Sequence, residues 1–215
     1  MGHYCNYCER YIATGLAVEH IQSKALPQYL GLTGRWENFL LACVNCNGTK
    51  GHRDVRLADI LLPDRDNTFA ALIYAEDGTV SPRPDLNNQQ RTQAIAILSL
   101  TGLDKGINNV IDQNGKLIAL DRVSQRMQAW GEAKLARVAI EDHPGNQPLR
   151  EITVRLARGL GFFSIWMTVF AGDLDMRNRL IDAFSGTRDS GCFDAMTCEP
   201  VTAQNPDGLP HGGKV

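Results

Sequence analysis

The first quarter of the chain holds two C-x2-C turns, Cys5 with Cys8 and Cys43 with Cys46. Two residues between cysteines let a tight turn aim both sulfurs at one ion, and two such turns complete a tetrahedral thiolate site of the structural-zinc kind. A lone C-x2-C can equally be a redox pair, but two of them in a chain with no export signal favour zinc. Between the turns lie Glu19-His20 and Asn38, and Asn47 and Lys50 follow the second turn. If zinc pins the turns together, Glu19, His20 and Asn47 are expected to converge on one small concave surface. An imidazole, with an ordinary pKa near ~6.5, can take a proton from water at neutral pH. A carboxylate and an amide oxygen can hold a divalent cation, and such hard donors favour Mg²⁺ or Mn²⁺. Taken singly, each residue has a plainer reading: His20 beside Glu19 is a surface pair, Asn38 and Asn47 are turn or cap residues, and Lys50 is a solvated side chain. The chemical reading rests on their joint spacing. Cys192 and Cys198, further along, read as small buried hydrophobes.

Short elements must carry these groups. The apolar residues around Glu19-His20 and the run Phe39-Leu40-Leu41-Ala42 read as two strands, and Cys46-Asn47-Gly48-Thr49-Lys50 as the start of a helix. The order is strand, loop, strand, helix.

In sequence, C-x2-C, Glu-His, Asn38, then C-x2-C-Asn with Lys50 resembles the HNH endonucleases of the ββα-metal class over roughly residues 4–56. The interval of nine from Asn38 to Asn47 is similar to that family's spacing between its second and third signature residues. The resemblance implies hydrolysis of phosphodiester bonds, with DNA favoured over RNA. His20 would be the base, and Glu19 and Asn47 would hold a catalytic Mg²⁺ or Mn²⁺ that polarises the phosphoryl oxygen and neutralises the leaving group. Asn38 would brace the loop that aims His20. Lys50 would contact phosphate, with His52, Arg53 and Arg56 as weaker candidates. Glu19 stands where Asp or His is more frequent, and Asn47 where His is common. Two further segments, Tyr7-Cys8-Glu9-Arg10 and Phe184-Ser185-Gly186-Thr187 with Gly191-Cys192-Phe193-Asp194, resemble the HNH subunits of Septu-type and retron-linked anti-phage systems. That resemblance implies an ABC-type ATPase partner.

The whole chain has 215 residues, 43% hydrophobic and 21% charged, with a net charge of −2. This composition excludes a collagen-like, coiled-coil or wholly disordered chain, and it supports a core without disulfides. Lys and Arg exceed Asp and Glu, 6 to 4, over residues 1–56, while the remainder carries 16 against 20. The chain as a whole does not attract nucleic acid, so a partner or a local patch must supply that pull. An autonomous restriction or homing nuclease would need a basic recognition face that residues 57–215 do not show. A non-catalytic zinc-ribbon binding module would leave Glu19 and His20 incidental. No apolar run reaches the ~18–20 residues of a membrane span, and the expected compartment is the cytoplasm.

The expected fold class is α+β, mainly α. Residues 1–56 form a zinc-stapled nuclease module, 57–199 a mostly helical, partner-binding region with a short hairpin, and 200–215 a flexible tail. The hairpin is expected between Phe69 and Ser81 around Asp77-Gly78. A helix capped by Asn88 should run through Ala94, Ile95 and Leu98 to Gly102. A longer helix should cover 117–142 with Val123, Met127, Trp130, Lys134 and Val138 on one side. Pro148 should open a helix with Leu149, Ile152 and Leu156. A buried helix should follow at 162–171, and Asp173 should cap a last one carrying Leu174, Arg177, Leu180, Ile181 and Phe184.

Overall fold

The computed structural model describes residues 2–106 and 118–215. The zinc-turn segment folds as strand, loop, strand, helix. Strand β1 (Ala17–His20) pairs antiparallel with β2 (Phe39–Ala42), setting Glu19 opposite Leu40 and His20 opposite Phe39. Helix α1 (Val44–Lys50) begins two residues before Cys46, because the Cys43 sulfur accepts the Cys46 N–H and serves as its N-cap. The second knuckle and the start of the helix are therefore one structure.

Successive side chains of a strand leave opposite faces. Glu19, Leu40 and Ala42 are buried on one side of the hairpin, whereas Val18 is exposed and His20, Phe39 and Leu41 are half-buried on the other. This alternation decides where the chemistry falls.

The second hairpin is shorter than expected. Asn67 accepts the Ala70 N–H and turns Thr68–Ala71 into a single helical turn, α2, leaving β3 (Leu72–Tyr74) paired with β4 (Val80–Pro82). Gly78 closes the hairpin at φ +78°, and a Cβ there would stand 2.7 Å from the Val123 carbonyl. A glycine is thus required by both conformation and space.

The remaining elements are helical: α3 (Asn88–Thr101), α4 (Ile118–Asp142), α5 (Gln147–Leu160), α6 (Phe163–Val169) and α7 (Leu174–Ala183). Asn87, one residue before the expected cap, forms a capping box with Gln90, and Gly102 ends α3 in the left-handed region. The expected start of α4 at residue 117 lies outside the described residues. Asn146 and Asp173 cap α5 and α7.

The large apolar residues proved a poor guide to the buried faces of α3, α4 and α5. Ile95, Met127, Val138 and Ile152 are exposed, while Ala94, Ala129, Ala133 and Ala157 are fully buried. Small residues let helix backbones approach closely, and α4, which buries Ala129 and Ala133, packs against α6. Helix α6 carries the bulk of that contact, with Ile165, Trp166 and Met167 fully buried.

Residues 200–215, expected as a loose tail, are instead pinned. Ala203, Leu209 and Val215 are buried, the Val215 carbonyl accepts from the Asn67 and Ala203 N–H groups, and Lys214 pairs with the buried Asp66 at 3.0 Å. Composition offered little apolar surface here, but the backbone hydrogen bonds and one ion pair hold the segment. Among the described residues, no helix is long and apolar enough to cross a membrane.

Candidate active site

The four cysteines converge as their spacing predicts. Cys5, Cys8, Cys43 and Cys46 are all buried, with their sulfurs within 4.8 Å of one another. Cys8 and Cys43 sulfurs stand 3.8 Å apart, and a tetrahedral ion with bonds near ~2.3 Å would separate its sulfurs by about 3.8 Å. This donor set fits structural zinc. Hydrogen bonds from the neighbouring thiols hold Cys43 far below the ordinary thiol range, and the bonds to Cys43, together with burial, push Cys8 and Cys46 up. A cation bound by the four sulfurs would take the place of their protons.

The helical region closes over this cluster. Arg122 of α4 donates from Nη1 to the Cys46 sulfur (3.6 Å) and the Thr101 carbonyl (2.9 Å), and from Nη2 to the Gly102 carbonyl (3.1 Å). Gly161, at the end of α5, lies so close to the first knuckle that a Cβ would sit 2.4 Å from the Glu9 carbonyl.

His20 ends β1. Its Nε2 lies 3.0 Å from the Thr33 carbonyl, and its ring meets Phe39 edge-on at 4.9 Å. A carbonyl only accepts, so Nε2 carries the proton and the lone pair of the neutral ring is on Nδ1. Asn38 is buried and clamps the residue pair after His20: Oδ1 accepts the Gln22 N–H at 2.8 Å, and Nδ2 donates to the Gln22 carbonyl at 3.0 Å. The Ile21 N–H also donates to the Asn38 backbone carbonyl at 2.9 Å.

Glu19 and Lys50 do not join His20. Their side chains are 2% and 1% exposed, and Lys50 Nζ lies 2.5 Å from Glu19 Oε1. Tyr7, from the first knuckle, donates its hydroxyl to Glu19 Oε2 at 2.9 Å, and Lys50 also donates to the His20 carbonyl at 2.8 Å. Burial, reinforced by Glu19, pushes the Tyr7 hydroxyl well above its ordinary range. Lys50, expected at the phosphate, is therefore an interior counter-charge. Glu19, expected as a cation ligand beside His20, faces α1 because it is one residue away on a strand. Asn47 is half-buried on α1, and its amide makes no hydrogen bond to His20 or Glu19 among the described residues.

A Mg²⁺ or Mn²⁺ held by Glu19 would have to displace Lys50. Among the described residues, the four cysteines are the one group of three or more His, Cys, Asp or Glu side chains able to share an ion. Glu19 is thus already committed to Lys50, and as placed it offers a cation no uncommitted carboxylate.

Of the residues the sequence did not single out for this site, Tyr7 and Arg122 carry a partial signal. Tyr7 lies inside the first knuckle, and Arg122 is a charge within a long helix. The Thr33 carbonyl carries none, because any residue offers one. Ser23 Oγ lies 3.3 Å from His52 Nδ1, and Arg53 donates to the Ser99 carbonyl at 3.0 Å.

No curated protein matches the chain. The HNH endonuclease family model matches residues 5–53, so the knuckles, the hairpin and α1 together make an HNH region at the start of a mainly helical chain.

Proposed function

We propose that the chain is a nuclease of the HNH kind that hydrolyses phosphodiester bonds of nucleic acid, DNA in preference to RNA, with His20 as general base. The observation that carries this reading is the fixed His20 ring, whose Nε2–H is held by the Thr33 carbonyl. Nδ1 is then the atom that accepts the proton of the attacking water as its oxygen bonds to phosphorus, while the P–O bond to the leaving sugar oxygen breaks and that oxygen takes a proton from solvent. Asn38 is a positioning residue: its clamp on Gln22 fixes the turn that follows His20. Lys50 holds the His20 carbonyl from the opposite side. The HNH resemblance implies dependence on Mg²⁺ or Mn²⁺, and cleavage by zinc-loaded protein with either ion added against cleavage with neither measures it.

The test is nicking of supercoiled plasmid by wild type and His20→Ala at equal zinc content. Wild type is expected to nick and His20→Ala to lose about 10²-fold or more of the rate. Equal rates would return the region to a non-catalytic zinc-ribbon module. Labelled DNA and RNA strands of one sequence compare the two substrates.

A role as the nuclease of an anti-phage complex with an ABC-type ATPase, acting in the cytoplasm, rests on the Septu-type resemblance and on the net charge of −2. A partner would then supply the positive surface that draws nucleic acid in. Co-purification of the chain with the product of its neighbouring gene tests this role.

A further inference from the structure

Away from the hairpin, a cavity of about 540 Å³ opens between the first knuckle, the loop before α2, the start of α6 and the C-terminal loops. Its size suits a small molecule, for which sites of roughly 300–1,000 Å³ are usual. One wall is a relay of aromatic rings: Phe69 against Phe193 (5.5 Å), Phe193 against Phe163 (5.6 Å), Phe163 against Phe184 (5.2 Å), and Phe184 against Tyr4 (5.0 Å).

The charge around it is one-sided. Arg65 is the single Lys or Arg among the lining residues, and all three of its guanidinium nitrogens donate, to Asp64 and to the Glu37 and Pro210 carbonyls. Asp66 is matched by Lys214. Three lining carboxylates have no cationic partner among the described residues: Asp189 and Asp207 at the exposed edge, and Glu9 inside. Glu9 accepts from the Ser164 N–H (2.8 Å) and hydroxyl (2.6 Å), which are neutral donors. A phosphate or carboxylate ligand would meet these acids and no available positive group. A cation would meet carboxylates and an aromatic wall, and rings attract positive charge, as the Arg83 guanidinium 5.6 Å from the Phe69 ring centre shows at one end of the relay.

We infer that this cavity binds a small organic cation, a guanidinium or ammonium joined to a short apolar body, with its charge at Glu9 and its body along the aromatic wall. This site does not depend on the nuclease reading: His20 takes no part in it, although Cys5 of the first knuckle lines the cavity.

Calorimetric titration of the full-length, zinc-loaded protein tests it, with butylguanidinium as probe, its uncharged isostere butylurea, and AMP as an anionic control. Butylguanidinium is expected to bind saturably, and butylurea and AMP are not. Glu9→Gln should weaken butylguanidinium by about tenfold or more, as loss of a charged hydrogen bond does, and Phe193→Leu should weaken it through the wall with Glu9 intact. No saturable heat with butylguanidinium, equal binding of butylurea, or preference for AMP would each overturn the inference. So would unchanged affinity in a folded Glu9→Gln protein.

Discussion

The HNH region holds two buried polar clusters built from the same parts, the first knuckle and α1, and they are opposites. In one, four cysteines converge, with Arg122 donating to the Cys46 sulfur and Arg126 close enough to feel Cys8 and Cys46. In the other, β1 contributes Glu19, whose charge is matched within the chain by Lys50, with Tyr7 completing its hydrogen bonds. Like groups crowded together in a dry interior are shaped for an ion, whereas an acid already paired with an ammonium is shaped for rigidity. The contrast separates a metal centre from a clamp where residue types alone would suggest two metal centres. His20 benefits from the clamp without belonging to it: its backbone carbonyl is held by Lys50 on one face of the hairpin, while its ring is presented on the other.

The largest effect that can break this comparison is at the cysteines. Cys43→Ser removes both a ligand and the cap of α1, so the variant should lose zinc and unfold the HNH region. Structural zinc supplies on the order of 10–16 kcal/mol of apparent binding energy in small zinc domains. Zinc content and thermal melting measure it, and a variant that kept both would remove the four-cysteine site. Next comes Lys50→Met, which leaves Glu19 buried and unmatched and should cost about 3–5 kcal/mol in denaturant unfolding. Adding Glu19→Gln to it should recover most of that loss, whereas additive losses would show that the two charges are not coupled.

A smaller effect is expected from Arg122→Gln. It weakens the donors to Cys46, Thr101 and Gly102, so stability should fall by about 1–3 kcal/mol and zinc should pass faster to a chelator. Unchanged zinc transfer would mean that the helical region merely lies beside the cluster. The smallest effect on folding should be Asn38→Ala, about 1–2 kcal/mol for the lost clamp on Gln22. Its nicking rate should nevertheless fall well beyond what the folded fraction explains, and a rate that tracks stability alone would demote Asn38 to a structural residue.

The parts legible in the sequence were those fixed by local chemistry. C-x2-C spacing announced the cysteine cluster, and Asn, Asp and Gly marked helix ends to within a residue or two, as Asn87, Asp173 and Gly102 show. The side of β1 that Glu19 occupies was also implicit, since strand neighbours diverge, but the joint spacing of Glu19, His20 and Asn47 suggested convergence. The buried faces of α4 and α5 were hidden because alanines pack there and larger residues face outward. The anchoring of residues 200–215 depends on Asp66 and Asn67, more than a hundred positions earlier. No local pattern encodes a partner at that distance.

The hairpin holds the His20 ring through Nε2–H and the Thr33 carbonyl, which leaves Nδ1 as the nitrogen that takes a proton. Nitrogen-15 NMR of the ring in full-length, zinc-loaded protein, assigned against His20→Ala, reads this directly. A neutral ring protonated at Nε2 is the predicted result, and a neutral ring protonated at Nδ1 would contradict it.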